Sequence, residues 1–516
     1  VFSVSFVLAT TKLVFSLWVS PLRRYRKLKS NGFSGPTPSF PLGNLNDMKE
    51  EMLKKTAESA VAAAEFSNDV HSVVFPYFSR WQKLHGKVFV YWLGTEAFVY
   101  MADAELVEKM SEKVKAREWG KPDVFKDDRD PMFGKGLLMV EGDDWVRHRN
   151  IVAPAFSPHN LKAMGTVMLE SGTKMVDRWT ALIDSGRPEI DVEAEIIRTA
   201  GEIIARASFG MSFGESVLEK LRELQIALFE SSRHVGVPFG RLLDPKRTLK
   251  ARSLGREIDA FLLCAVEDRM NKRGTDMTTP PHPPPPENDL LGLLLAARSG
   301  KRGGTLTKKE LVDECKTFFF GGHETTALTL SWTLLLLARH PEWQHALRDE
   351  IAEAVGEGGT IDATAVVRLR KMGWVLNEAL RLYPSAPNVQ RQARHDIRVD
   401  DRLVIPKGTN IWVDIVSIHH DPALWGDHAH DFDPQRWSEN NTTTTTHGHR
   451  RLGFLPFGLG GRTCVGRNLT LMEYKIVLSL ILSRFSFSVS PAYKHSPGIM
   501  LSLRPLHGIP LIFSHL

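Results

Sequence analysis

Cysteine is scarce in this sequence, and the few cysteines lie far apart. Only three occur among 516 residues, Cys264, Cys315 and Cys464, and no two of them form a CxxC pair. This spacing argues against a disulfide framework and against a structural zinc knuckle. It favours a compartment in which thiols stay reduced.

A large excess of one charge is absent as well. Lys and Arg total 66 against 60 Asp and Glu, so the formal net charge is only +6, and no nucleic-acid motif accompanies the basic residues. Nucleic-acid binding is therefore not indicated. With 42% hydrophobic and 24% charged residues, the composition is that of a globular protein. The length suits one large enzyme domain or about two to four smaller ones.

Long apolar runs are rare, and the clearest one opens the chain. Residues 1–20 are mostly apolar, and a basic cluster follows, consisting of Arg23, Arg24, Arg26, Lys27 and Lys29. This order predicts a membrane helix over residues 1–30 with the cluster on the cytosolic side, because a cleaved signal peptide has its charges before the apolar run. Lys12 interrupts the run, so an amphipathic helix on a membrane surface is the alternative. Because the first residue is Val, we expect the natural chain to begin earlier.

The rest of the chain predicts mainly helices, with a few strands and loops. Prolines and glycines make residues 31–44 an irregular connector. Strands are predicted from the apolar runs at 88–94, 98–102 and 410–416. Two low-complexity stretches, 278–288 and 440–449, are rich in proline or threonine and predict surface loops.

One predicted helix, over residues 307–339, is unusually long. It begins with a T-x-x-E capping box at Thr307. About thirty residues at 1.5 Å each would extend ~45 Å, and residues 326–338 are so apolar that we expect them to be buried. Gly321 and Gly322 in its middle each weaken a helix by about 1 kcal/mol relative to alanine. Either a ligand approaches the bare backbone there or the two glycines serve packing.

Cys464 lies in a glycine-rich stretch, F-G-L-G-G-R-T-C-V-G, over residues 457–466. The glycines allow a tight loop with room for a flat ligand. Residues 468–485 have a helical pattern, so the thiol precedes a helix N-terminus, which together with the charge of Arg462 favours a thiolate. Three interpretations are open: a buried structural thiol, a catalytic nucleophile and an axial ligand of haem iron. The last uses every feature, since the arginine can bind a haem propionate.

The same stretch resembles the haem-binding signature of the cytochrome P-450 superfamily, F-x-x-G-x-R-x-C-x-G. The matching residues are Phe457, Gly460, Arg462, Cys464 and Gly466. Five fixed identities occur by chance in about one in ten thousand sequences of this length, so the motif is specific.

Other motifs of that superfamily follow at the expected places. Residues 321–325, G-G-H-E-T, resemble its oxygen-activation motif, and the resemblance extends from about Gly35 to the C-terminus. The remaining matches are the E-x-x-R pair Glu378 and Arg381, the later arginine Arg436, the W-x-x-x-R residues Trp145 and Arg149, and Arg391, where the superfamily often has a propionate ligand.

The resemblance implies a mainly α fold with small β-sheets and a long central helix. It implies a single haem-thiolate monooxygenase domain over residues 45–516, preceded by the membrane anchor at 1–30 and the connector at 31–44. It also implies haem b, iron protoporphyrin IX, as the cofactor, with Cys464 as the ligand of the metal.

Roles for the other matching residues are implied in the same way. Thr325 and Glu324 are expected to organise the proton delivery that oxygen activation requires. Contacts with the cofactor are expected from Cys464, Arg462, Phe457, Gly458, Gly466, Trp145, Arg149, Arg391, Gly321 and Gly322. A structural clamp is expected from Glu378, Arg381 and Arg436.

The implied function is that of a monooxygenase, which inserts one oxygen atom from O2 into an apolar small molecule. The implied electron donor is an NADPH-dependent flavoprotein reductase that docks on the cysteine side through basic residues. The implied location is the endoplasmic reticulum membrane, with the catalytic domain facing the cytosol. Several stretches, among them E-C-K-T-F-F-F-G-G-H-E-T-T, are most similar to the plant clan that oxidises gibberellins, brassinosteroids, cytokinins and terpenoids.

The substrate and the reaction leave alternatives. Three consecutive phenylalanines suggest an apolar pocket near the haem, although one or more must pack the helix: Phe318, Phe319 and Phe320. A haem-thiolate isomerase or dehydratase is one rival function, and the presence of Thr325 and Glu324 argues against it. A non-enzymatic haem-binding sensor or carrier is the other.

Overall fold

The structure is mainly helical with small β-sheets, as the sequence predicts. It is a computed structural model that describes residues 2–61, 66–210, 215–231, 235–240, 244–274, 289–298, 305–356, 359, 361–362, 364–399, 403–438 and 452–516. The two stretches predicted as low-complexity loops, 278–288 and 440–449, lie outside these residues.

Helices make up most of the described chain and are numbered here in chain order. They are α1 (Phe2–Val14), α2 (Ser20–Ser30), α3 (Leu45–Val61), α4 (Val70–Val74), α5 (Pro76–His85), α6 (Ala104–Lys113), α7 (Asp123–Phe133), α8 (Gly142–Val152), α9 (Pro158–Asp184), α10 (Val192–Phe209), α11 (Glu215–Ser231), α12 (Pro245–Gly274), α13 (Leu290–Arg298), α14 (Lys308–Arg339), α15 (Pro341–Val355), α16 (Ala365–Arg368), α17 (Arg370–Leu382), α18 (Ile415–His419), α19 (Pro422–Trp425) and α20 (Arg467–Leu482). A π-helical turn joins α1 to α2, and short 3-10 turns include Ala116–Glu118, Ala153–Phe156, Pro434–Trp437 and Gly460–Arg462.

The strands form four small sheets. They are β1 (Val88–Leu93), β2 (Glu96–Met101), β3 (Trp119–Gly120), β4 (Glu189–Asp191), β5 (Asn388–Ala393), β6 (Ile397–Arg398), β7 (Val404–Ile405), β8 (Asn410–Asp414), β9 (Phe485–Val489), β10 (Pro497–Met500), β11 (Ser502–Pro505) and β12 (Pro510–His515). The largest sheet has the order β1-β2-β8-β5-β3, and the others are β4-β12-β9, β10-β11 and β6-β7. The predicted strand runs correspond to β1, β2 and β8.

The long central helix is confirmed as α14. Thr307 accepts a hydrogen bond from the backbone N–H of Glu310, whose side chain accepts one from the N–H of Thr307 in return, so the predicted capping box starts the helix. Residues 326–337 are all buried. The helix packs against α10, α12, α17 and α20, so it forms the axis around which the helical core is built.

The N-terminal helix divides into an exposed apolar half and a docked basic half. The segment Val4–Ser30 is long and apolar enough to cross a membrane by length and composition, with a mean hydropathy of 1.4 and only 6% of its apolar window buried. Near its end, Leu28 is buried and Arg24 lies 3.7 Å from Glu96 of β2. The apolar half therefore projects from the folded body, while the basic half lies against the largest sheet.

Candidate active site

Cys464 lies in a tight loop between the last 3-10 turn and α20. Its backbone N–H donates to the carbonyl oxygen of Phe457 at 2.9 Å, which closes the loop. Gly458 and Gly460 have positive φ angles of 76° and 61°, a conformation that disfavours residues with a side chain. The Cys464 side chain is exposed, whereas Cys315 is buried inside α14. The glycines thus serve a loop that presents the thiol to open space.

The electrostatic surroundings of Cys464 differ from the expectation. The thiol reaches accessible space, but protein surrounds it on its other sides, and this loss of hydration raises its pKa. The pKa is lowered by hydrogen bonds from the backbone N–H groups of Gly466 and Arg467 and by the positive charge of Arg149. Together these effects are smaller than the effect of burial. The expected lowering of the pKa is therefore wrong for the protein alone, because burial outweighs the helix N-terminus.

Arg462, expected to place positive charge beside the thiol, points to other partners. Its guanidinium donates to three backbone carbonyls, those of Ala116 at 2.7 Å, Trp119 at 3.0 Å and Val140 at 3.1 Å. It also lies 4.7 Å from the ring centre of Trp145, so this tryptophan of the W-x-x-x-R motif supports the arginine by a cation–π contact. Burial lowers the pKa of Arg462 to about 10.

Arg149, the second residue of that motif, lies beside the cysteine instead. Its Nη1 donates to the carbonyl oxygen of Thr463 at 2.9 Å, directly before Cys464. Arg149 on helix α8 is far from Cys464 in the sequence. Its positive charge nevertheless lies where the sequence predicts the charge of Arg462.

Three positively charged side chains, Lys121, Arg391 and Arg462, form what we name the basic cluster. Lys121 is buried, and its pKa is well below the usual range because of burial and then of the charges of Arg391, Arg129 and Arg462. Burial and then Arg462 lower the pKa of Arg391 to about 9. In the described part of the chain, no carboxylate forms an ion pair with any member of the cluster. Glu141 acts on Arg462 through its charge, but no described carboxylate neutralises the cluster by direct contact, so the cluster can bind an anion.

Sequence reasoning missed Lys121, because nothing in its local sequence marks it. Strand β3 pairs with β5 so that Trp119 faces Ala393 and Gly120 faces Gln392. Continuing that antiparallel register by one residue places Lys121 opposite Arg391. Only the pairing of two strands far apart in the chain reveals the cluster.

The paired glycines of α14 have different surroundings. A Cβ atom added at Gly322 would lie 2.6 Å from Cδ1 of Ile204 on α10, so close packing of two helices explains this glycine. At Gly321, an added Cβ atom would meet no atom within 4 Å. The expectation that both glycines make room for a ligand is therefore not supported at Gly322. Gly321, in contrast, borders an opening.

Thr325 and Glu324 follow the glycines and face different neighbours. The Thr325 hydroxyl donates to the carbonyl oxygen of Gly321 at 2.7 Å, next to the opening. Glu324 is buried, and its Oε1 accepts hydrogen bonds from Gln225 of α11 at 2.7 Å and from Ser502 of β11. Its Oε2 has no hydrogen-bond partner. The carboxylate is thus anchored through one oxygen and free to accept through the other.

The three phenylalanines of α14 are buried and contact separate neighbours. Their ring centres lie 5.1 to 6.5 Å from those of other aromatic residues, in the pairs Phe318–Phe156, Phe319–Phe209 and Phe320–Phe133. Packing of the helix therefore accounts for all three of them, and the suggested apolar pocket gains no support from these contacts.

Glu378, Arg381 and Arg436, which we name the clamp, lie together in the core. Arg381 donates to both carboxylate oxygens of Glu378, at 2.9 and 2.7 Å, and Arg436 donates to Oε1 at 3.3 Å. Trp437 donates to Oε2 at 2.9 Å. Burial alone would raise the pKa of Glu378, but the two arginines and these hydrogen bonds lower it overall. The carboxylate of Glu378 is therefore fully satisfied by protein, and the remaining N–H groups of the two arginines donate to backbone carbonyls.

Comparisons with known proteins identify the family and the fold. The model of the family described as Cytochrome P450 matches residues 65–506. Cytochrome P450 714C2 of Oryza sativa subsp. japonica is 35% identical over 97% of this chain and 94% of its own length. A cytokinin hydroxylase of Arabidopsis thaliana is 32% identical over 97% and 94% of the two chains. The crystal structure of the cytochrome P450DA heme domain has a TM-score of 0.72 at 23% identity, covering 86% of this chain and 93% of that one, and it supports the fold alone.

Proposed function

This chain belongs to the cytochrome P450 family and is a haem-containing monooxygenase that uses O2 and a redox partner to oxidise a small molecule, and we propose that Cys464 is the ligand of its iron. The observation that carries the proposal is the exposed thiol on a closed, glycine-dependent loop. A structural thiol would be buried, as Cys315 is.

The residues present fit a haem. Cys464 is exposed and Gly321 borders an opening, so neither residue is closed off from a flat macrocycle. The basic cluster lacks an acidic partner among the described residues, and the two propionates of haem b would supply one. Arg149 and the cluster would hold these carboxylates, and Trp145 would keep Arg462 in place. Phe457, Gly458 and Gly466 would shape the loop around the sulfur.

When bound, the haem would supply the iron at which dioxygen is activated, and a thiolate ligand from Cys464 would favour O–O cleavage. We assign proton delivery to Thr325 and Glu324. The hydroxyl of Thr325 donates to Gly321, so its oxygen lone pairs remain available to a water molecule in the opening. Glu324 keeps one oxygen without a partner, which is where a carboxylate would accept and return a proton.

We propose an apolar, hormone-like or terpenoid substrate, in keeping with the plant relatives, one of which is a cytokinin hydroxylase. The proposed electron donor is an NADPH-dependent flavoprotein reductase that docks through basic residues. Residues 1–30 would anchor the domain 45–516, through the connector 31–44, to the cytosolic face of the endoplasmic reticulum. The exposed apolar half of the N-terminal helix and its basic end support this arrangement.

The test compares Cys464→Ala with Cys264→Ala, a change at the exposed cysteine of α12. Purified, reduced protein treated with carbon monoxide should show the red-shifted absorption of thiolate-ligated haem in the wild type and in the Cys264 variant. We expect the Cys464 variant to lose both this absorption and turnover, because no other described thiol is placed to replace the ligand.

The same preparations distinguish the rival functions. With the reductase and candidate terpenoids, a monooxygenase consumes NADPH as product forms. A carrier consumes none, and an isomerase or dehydratase forms product without NADPH. Retention of the red-shifted absorption by the Cys464 variant would contradict the proposed ligand.

A further inference from the structure

Two histidines and an aspartate form a cluster that the proposed chemistry does not use. One potential ligand atom from each of Asp69, His420 and His430 lies within 4.8 Å of the other two. His420 is buried, and the other two residues are half-buried. Asp69 precedes α4, His420 follows α18, and His430 lies before the 3-10 turn of the clamp arginine. The fold thus brings three potential ligands of two types, imidazole and carboxylate, together from three separate segments.

The hydrogen bonds of His420 fix its tautomer. Its Nε2 lies 2.9 Å from the carbonyl oxygen of Leu382, and because a carbonyl only accepts, Nε2 carries the proton. The Nδ1 atom of the neutral ring therefore presents a lone pair towards His430. A hydrogen bond that orients a ligating histidine in this way is usual at metal sites.

The distance between the two rings fits a shared ion. Nδ1 of His420 lies 3.2 Å from Nδ1 of His430. Two nitrogen ligands of a tetrahedral Zn²⁺ ion, each bound at about 2.0–2.1 Å, are separated by about 3.3 Å. A single hydrogen bond between the rings gives a similar distance, but it leaves the second oxygen of the nearby Asp69 carboxylate unused, since the cap of α4 takes only the first.

Asp69 supplies that carboxylate in an oriented form. Its Oδ1 accepts a hydrogen bond from the backbone N–H of Ser72 at 3.2 Å, which caps α4. Its other oxygen accepts no hydrogen bond from a described residue. We propose that Asp69, His420 and His430 bind a divalent transition-metal ion such as Zn²⁺, with water completing the coordination.

The surrounding backbone holds these ligands before any ion binds. Asn68, next to Asp69, donates from Nδ2 to the carbonyl oxygen of His430 at 2.8 Å, and Tyr383 donates to Asn68 Oδ1 at 2.7 Å. Arg381 of the clamp donates to carbonyl oxygens beside both histidines, those of His419, Ala429 and Asp431. An ion there would tie the start of α4 to the segments that the clamp already holds. We assign it a structural role, because its ligands lie on segments whose backbone the clamp holds.

The test uses the haem-loaded full chain after removal of metals by a chelator. Zinc chloride is titrated calorimetrically into the wild type and into His430→Ala and Asp69→Asn, the latter keeping an oxygen that can cap α4. His428→Ala is the matched control, since His428 is exposed and pairs with Asp431 at 2.8 Å outside the cluster. X-ray absorption at the zinc edge, which is blind to the haem iron, reports the ligands.

We expect the wild type and the His428 variant to bind one Zn²⁺ with nitrogen and oxygen ligands and to gain thermal stability from it. The His430 and Asp69 variants should bind more than about tenfold more weakly, since even residues that only orient a ligand contribute that much. Their carbon monoxide spectra verify that they are folded. Absence of zinc binding by the wild type, equal binding by all variants or a sulfur-ligated zinc would overturn the proposal.

Discussion

The clamp and the basic cluster both remove charged side chains from bulk water, but they balance the charge differently. In the clamp, two arginines surround one carboxylate, and further hydrogen bonds satisfy it within the protein. In the basic cluster, burial and then neighbouring positive charges lower the pKa of Lys121 and of Arg391, and no described carboxylate pairs with the cluster. The clamp is complete without a ligand, whereas we propose that the cluster binds one. The difference separates a structural charge network from a proposed binding site.

Breaking the clamp should have the largest effect. In Glu378→Gln, two buried arginines lose their counter-charge, and removing one partner of a buried pair costs about 3–5 kcal/mol of unfolding free energy. Urea unfolding of the haem-loaded protein measures the loss. Glu353→Gln, an exposed position on α15, is the control and should change stability by less than about 0.5 kcal/mol. Equal stability of the two variants would contradict a structural role for the clamp.

Changing the basic cluster should affect haem retention more than folding. In Arg391→Met, removal of a charge with lowered pKa should cost the haem-free protein less than about 1 kcal/mol, because no described carboxylate loses a partner. The haem-loaded protein should lose about 1.5–3 kcal/mol of haem affinity, as expected for a hydrogen bond to a charged group.

Transfer of haem to an acceptor protein measures that loss. Arg394→Met is the matched control, because Arg394 pairs with Glu141 and Asp123 and belongs to neither group. Similar haem loss in both variants would show that Arg391 holds no propionate.

The two glycines of α14 allow a similar comparison, between a position that borders an opening and one that is enclosed by protein. The expected effects are smaller. Gly321→Ala should stabilise the haem-free protein by about 1 kcal/mol, since alanine favours helix and the added methyl group meets open space. Gly322→Ala should not, because its methyl group would lie 2.6 Å from Ile204. Thermal unfolding of the haem-free variants measures both effects. If haem occupies the opening, only the Gly321 variant should also bind haem more weakly.

Local patterns predicted the fold well, because their physical causes are local. The capping box placed the start of α14 at Thr307, and short apolar runs located β1, β2 and β8. The positions of charged side chains in the folded protein could not be predicted from such local patterns. Arg462 is two residues from Cys464, but its guanidinium binds backbone carbonyls of other segments. Arg149, on helix α8, binds the carbonyl oxygen of Thr463 next to the thiol. Side-chain directions in an irregular loop and strand pairings such as that of β3 with β5 depend on the whole tertiary structure.

The hydrogen bonds of Glu324 tie its position to two other parts of the chain. Gln225 of α11 donates both to this carboxylate and to the carbonyl oxygen of Met500, at 2.7 and 2.6 Å, so α11, Glu324 and the hairpin of β10 and β11 share one amide group. Ser502 of β11 also donates to the carboxylate, so a displacement of α11 alone would remove one of these two hydrogen bonds and leave the other. A shift of α11 would thus loosen, without freeing, the side chain to which we assign proton delivery.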